Sequence, residues 1–273
     1  MNRSVAFDEG EDLWRRVKPG SATRRLKLVI LMSACAFALA LASSAVREGR
    51  ADDRDAASEA LQQKKDAGQP DRVRFDNKVR ESFFSGFAGD AAALDQAMKM
   101  CEEALVRDPH DAPAMVWHGS GLVFRSGQAF RKGDFAQGRE LWKRGLKEMD
   151  DAVALQPADV QVLIPRGATL LNDSRYSTQP DEAKAMLKKG VGDYEAVLKM
   201  QGPYFGQIPL HSRGELLFGL ADGWYRLGDV SKARSYFDRI VSDAAGSGRD
   251  KQAAEFLKTG ELPKNTSCVG CHK

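Results

Sequence analysis

The chain predicts an all-α fold: a stack of about four helical hairpins, an α-solenoid, behind one apolar N-terminal helix. Three observations point there. Alanine, leucine, lysine, arginine and glutamate dominate and β-branched runs are scarce, a composition that favours helices. Apolar residues recur at three- and four-residue steps, as one buried helix face requires. Similar segments return at a near-constant spacing, the mark of stacked units that cannot each bury a core alone.

The 273 residues are 42% hydrophobic and 29% charged with a net charge of +3, an ordinary globular balance. No basic stripe with interleaved aromatics is present, which argues against nucleic-acid binding. No nucleophile elbow, phosphate-binding glycine loop or zincin motif appears, so no enzyme activity is expected. The neighbouring carboxylates Glu102-Glu103 and Asp150-Asp151 point to different helix faces and read as solvated charge.

Residues 1–27 read as a cytoplasmic N-terminus. Residues 28–46, "LVILMSACAFALALASSAV", form a nineteen-residue run without charge. As a helix it would span about 28 Å at ~1.5 Å per residue, near the thickness of the bilayer core. Seven basic residues precede it (Arg3, Arg15, Arg16, Lys18, Arg24, Arg25 and Lys27), which places the N-terminus inside and the rest outside. The length favours a membrane anchor. The small residues around Ala42 and Ala45 leave a cleavable signal peptide as the alternative. "TRRLKL" at 23–28 resembles a twin-arginine signal faintly, and Cys35 lies too deep in the run to mark a lipoprotein. Each reading exports the chain. The single-pass arrangement puts the C-terminal part in the periplasm of a bacterium, anchored in the inner membrane. Residues 47–72 are polar and charge-mixed and read as a solvated linker.

The repeats occupy 73–259. "WHGSGLVFRSGQAFRKGDF" at 117–135 pairs with "SRGELLFGLADGWYRLGDV" at 212–230, and "IPRGATLL" at 164–171 stands between them. Gly119, Gly167 and Gly214 then fall 48 and 47 residues apart. The second halves, 138–157 and 183–203, align Gly145 with Gly190 and Trp142 with Leu187, and end at Pro157 and Pro203. An earlier hairpin runs from 73 to 109 with Gly89-Asp90 at its turn. Glycine on the first helix permits close approach of the second, and the Gly-Asp pairs supply a tight turn and a capping aspartate. "KQAAEFLKT" at 251–259 reads as a short closing helix. Trp117, Trp142, Trp224 and Cys101 sit at helical core positions. His110 falls in a turn, and His118 fits either core or groove.

These hairpins resemble tetratricopeptide repeats. The match to W-x2-L-G-x2-Y…A-x3-F is clearest at Leu217, Leu220, Ala221 and Trp224, followed by Ala233 and Phe237. The period exceeds the family's 34 by nearly fourteen residues, about two helical turns for each helix. The resemblance implies a protein-binding scaffold whose first helices line a concave surface. That surface would include Val116, Ser120, Val123, Ile164, Leu171, His211, Glu215 and Phe218, though packing between repeats explains the same residues.

Residues 260–273 end in "CVGCHK". Two thiols two residues apart can reach adjacent vinyl groups of one porphyrin, and the next residue can set an imidazole under the iron. The motif resembles that of c-type cytochromes. The resemblance implies a covalent haem c on Cys268 and Cys271, with His272 as proximal iron ligand. A local disulfide, a zinc half-site or a dithiol redox pair are the other readings. A cytochrome domain continues past this motif, whereas only Lys273 follows it here. The distal position must therefore be filled by the helical body, with His211 as the internal candidate, by a partner, by water, or not at all. The function implied is electron transfer to a redox protein docked on the solenoid. The alternatives are a non-haem scaffold with a terminal cysteine pair, and a sensor or enzyme subunit with an open haem position.

Overall fold

Three Gly-Asp pairs set the turns of the structure, a computed structural model that describes residues 74–262. Gly89, Gly133 and Gly228 adopt φ of 120°, 82° and 92°, the left-handed region that a side chain would strain. Asp90, Asp134 and Asp229 follow them, and each carboxylate accepts the backbone N–H of the residue three positions on. Asp111 caps another helix in the same manner, and Asp159 caps one by accepting the N–H of Gln161, two positions on. Removing one such cap costs about 0.5–2 kcal/mol.

The helices so bounded are α1 (Phe75–Phe87), α2 (Ala91–Arg107), α3 (Ala112–Arg131), α4 (Phe135–Leu155), α5 (Val160–Asp173), α6 (Pro180–Gln201), α7 (Leu210–Arg226), α8 (Val230–Asp243) and α9 (Asp250–Thr259), with a 3₁₀ turn at Gly202–Gln207. The described residues are all-helical and contain no strand. Neighbours in sequence pack as hairpins α1–α2, α3–α4, α5–α6 and α7–α8, and α9 lies against α8. First helices also touch first helices, α1 with α3, α3 with α5 and α5 with α7, while α2, α4 and α6 each pack on the next first helix. The apolar interior forms two clusters. One gathers Phe83, Met98, Trp117 and Met149, and the other gathers Leu171, Tyr194, Leu217 and Phe237.

The aligned glycines meet as the repeat requires. A Cβ on Gly119 would stand 2.7 Å from the carbonyl oxygen of Gly145, and one on Gly145 would stand 2.6 Å from that of Gly119. In the next hairpin a Cβ on Gly190 would lie 3.0 Å from the Gly167 oxygen, and one on Gly167 would strike the Tyr194 ring. The fourth hairpin departs from this plan. Helix α8 has 14 residues against 21 in α4 and 22 in α6, and it contains no glycine. Gly214 abuts Ser247 in the loop after α8 instead of a helical glycine. The extra length of each repeat is also not shared evenly. Helices α3 and α4 have 20 and 21 residues, but α5 and α6 have 14 and 22.

The α5–α6 turn lacks a Gly-Asp pair, and a cation from the following hairpin takes its place. Arg226 on α7 donates to the Leu171 carbonyl (2.9 Å) and to Ser174 Oγ (2.7 Å) at the C-terminal end of α5. A cation there satisfies carbonyls that the helix leaves unbonded and complements its dipole. Arg175 from the same turn reaches back to Asp222 beside Arg226, at 2.6 Å.

Gly119→Ala should lower the midpoint of chemical denaturation, because the added methyl meets backbone that cannot rotate away. The expected loss is about 1–3 kcal/mol. Gly192→Ala, with nothing within 4 Å of the new Cβ, should raise the midpoint or leave it unchanged.

Candidate functional site

The motif residues Cys268, Cys271 and His272, like the apolar run 28–46, lie outside the described residues. The described chain leads toward the motif through α9 and Leu262. Phe256 on α9 stacks on Phe237 of α8 at 4.1 Å between centroids, and Tyr225 meets it edge-on at 5.4 Å. Gly260 closes α9 in the left-handed conformation, its N–H bonded to the Phe256 carbonyl. Leu257 and Leu262 pack on the same apolar cluster. The body therefore holds the chain as far as Leu262.

The loop between α8 and α9 is held by Arg249, which is 2% exposed. Its Nε and Nη2 donate to the two carboxylate oxygens of Glu215 at 2.6 and 2.9 Å, its Nη1 donates to Gln252 at 2.8 Å, and its plane lies over the Phe218 ring. A buried guanidinium is tolerable only when paired and bonded in this way. The pair ties the loop to α7. Sequence reasoning missed Arg249, since one arginine in "GSGRD" carries no periodic signal.

His211 stands exposed on the first turn of α7, with Nδ1 3.4 Å from the Ser247 carbonyl oxygen in that loop. His118 is different. It is 3% exposed on α3, with Nδ1 2.5 Å from Glu148 of α4 and Nε2 3.8 Å from Glu102 of α2. Of the two sequence readings, core or groove, it is core, and it ties the first two hairpins together. Burial pushes the Glu148 carboxyl upward, but its hydrogen bonds to His118 and Arg144 outweigh this and hold it below its ordinary range. Cys101 is buried nearby, its thiol pushed well up by burial and then by Asp111, Glu102 and Glu148. It is an inert core side chain. His110 is exposed in the α2–α3 turn. Among the described residues no group of three His, Cys, Asp or Glu is placed to hold a metal ion.

The expected concave lining is mostly interior. Val116, Ser120, Val123, Leu171 and Phe218 are buried, so packing between hairpins explains them. Ile164, Glu215 and His211 keep some exposure. Trp117 is core, stacked on Phe83 at 5.0 Å. Trp142 and Trp224 are only half-buried, with their indole N–H groups donated to Asp173 (2.7 Å) and Glu195 (3.1 Å). Asp150 is not simply solvated either, because it joins Arg166 at 3.0 Å and Lys189 at 2.8 Å across three helices. An open cleft of about 560 Å³ lies between the α4–α5 turn and the end of α6, lined by Pro157, Val160, Met200 and Tyr204. Among the described residues no helix is long and apolar enough to cross a membrane. No protein-family model matches the chain, and no curated protein matches it.

The Glu148 carboxyl makes the acid response of the fold predictable. Its pKa is depressed in the folded state, so its contribution is present above the ordinary carboxylate pKa and is lost as pH falls through the depressed one. Below about pH 4.5, stability of the native chain should therefore fall with pH more steeply than that of Glu148→Gln, measured by urea denaturation across pH 3–6.

Proposed function

We propose that this chain is an exported, membrane-anchored electron-transfer protein: a tetratricopeptide-like helical solenoid that docks a redox partner and carries a haem c on its C-terminal tail. The observation that carries the reading is the five-residue run Cys268-Val269-Gly270-Cys271-His272, downstream of a charge-free run of membrane-spanning length. On this reading residues 28–46 anchor the chain in a bacterial inner membrane, with the helical body in the periplasm.

The donor set suits the group. Cys268 and Cys271 supply the two thiols for thioether bonds and His272 the proximal imidazole. Cys101, the cysteine among the described residues, is buried and its thiol is pushed well up, which disfavours it as a competitor for attachment. Bound there, haem supplies one-electron redox chemistry. The helical body supplies position. Leu262 is packed on the core and Cys268 follows six residues later, a tether of at most ~20–22 Å. That length bounds how far Cys268 lies from the C-terminal hairpin. The paired first helices, the Gly-Asp turns and the recurring glycine contacts support the tetratricopeptide-like reading of that body.

Expression in a periplasm with haem-attachment machinery should yield a chain that keeps its Soret absorbance after denaturation and acidic organic extraction. In the denatured protein an alkylating reagent should modify Cys101 and spare Cys268 and Cys271, read by peptide mass. Loss of all haem on extraction, with both terminal cysteines alkylated, would leave the scaffold without a redox group and refute the proposal.

A further inference from the structure

Resting on the membrane-anchored reading above, we propose that the turn of the second hairpin, residues 130–135, is a contact site for an anionic lipid bilayer. Phe135, the first residue of α4, is 69% exposed, and Phe130, next to last in α3, is 36% exposed. Neither belongs to the two apolar clusters. The first position of a helix makes no demand for an aromatic ring, so the fold does not explain Phe135.

The two rings are held in place. A Cβ on Gly138 would stand 2.5 Å from the Phe130 ring, so that ring lies against α4 where only glycine leaves it room. The Phe135 ring meets it at 6.3 Å between centroids. Gly133 makes the turn in the left-handed conformation, and Asp134 caps α4. Side chains already fixed in an exposed arrangement lose little freedom on binding.

The turn also projects. Thr169 of α5 donates to Ser120 of α3 at 2.9 Å, which puts those two residues at one level. Beyond that level α3 continues to Arg131, whereas α5 continues only to Asp173. The second hairpin therefore runs past the third by about two helical turns, ~10 Å.

The charges at the tip select the surface it meets. Arg131 and Lys132 follow Phe130, both are exposed, and neither side chain makes an ion pair or a hydrogen bond among the described residues. Asp134 is engaged as the cap, accepting the Gln137 N–H, and the next charged residues on α4, Arg139 and Glu140, are of opposite sign. Asp181 and Glu182 open α6 beside the third turn, which is set back. Cations beside exposed aromatic rings suit a bilayer interface, where the rings enter the headgroup boundary and the long basic side chains reach anionic phosphates. A projecting tip of two rings is too small for a stable protein interface, which buries about 800 Å² on each side.

The test uses the full chain in vesicles of phosphatidylcholine and phosphatidylglycerol whose acyl chains are brominated near the headgroup. Bromine quenches indole fluorescence on contact, and the native protein sets the background from its own tryptophans. The emission added by Phe135→Trp should be quenched. That added by Val106→Trp, at an exposed position on the last turn of α2, should not. Most of the quenching should be lost in phosphatidylcholine alone, at high salt, or when Arg131→Ser and Lys132→Ser are combined with Phe135→Trp. Unquenched Phe135→Trp in a chain that floats with the vesicles overturns the contact and leaves the anchor standing. Quenching that persists without the anionic lipid, or without the two cations, overturns the assignment to an anionic surface. A chain that floats with neither kind of vesicle refutes the anchored reading, and the contact with it.

Discussion

The described fold depends on helices coming close enough for backbone to touch backbone. Gly119 and Gly145 face each other with carbonyl oxygens where side chains would otherwise stand, and one hairpin later Gly190 faces the Gly167 oxygen while Gly167 faces the Tyr194 ring. A helix pair at that separation can rotate or slide little without a clash. The close contact sets how each hairpin presents its outer faces. It thereby sets the layer of first helices in which α3 touches α5 and α5 touches α7. Packing in the two apolar clusters supplies the stabilisation, while the glycine contacts determine which packing is used.

At the C-terminal end the same plan is closed by different chemistry. Helix α8 carries no glycine to meet Gly214, and the following loop fills the space with Ser247. That loop needs its own anchor, which the paired Arg249 provides, and α9 then covers the last apolar face with Phe256. The consequence for function is positional. A chain fixed as far as Leu262 leaves six residues to Cys268, so on the proposed haem reading the attachment point lies within ~20–22 Å of Leu262.

Much of this was legible in the residues. The Gly-Asp pairs have one physical solution, a left-handed glycine followed by a capping aspartate, and all three adopt it. The spacing of Gly119, Gly167 and Gly214 marked positions with no room for a side chain, although only Gly119 meets backbone, while Gly167 meets the Tyr194 ring and Gly214 meets Ser247. What was not legible came from elsewhere in the chain. Arg226 completes the end of α5 from 52 residues away at Ser174, and Arg249 pairs with Glu215 34 residues back. Such long-range charge pairs leave no periodic trace. His118 was ambiguous for the same reason, since its neighbours Glu102 and Glu148 come from two other helices. Of the two readings of the expected concave lining, surface or packing between repeats, packing holds for most of it, because α3 is covered by α1, α2, α4 and α5. A first helix so enclosed has little free face. The motif at 268–272 stands apart: it lies outside the described residues, and its haem reading is a proposal from spacing alone.

The central claim is that a redox-active iron is held at the C-terminal hairpin of this helical body. Its most direct measurement is the relaxation enhancement that the ferric iron imposes on a nitroxide, placed in turn at exposed Lys251 at the start of α9 and at exposed Lys99 on α2. The account predicts strong enhancement at position 251 and little at position 99. Equal enhancement at the two positions, or none at either, would contradict it.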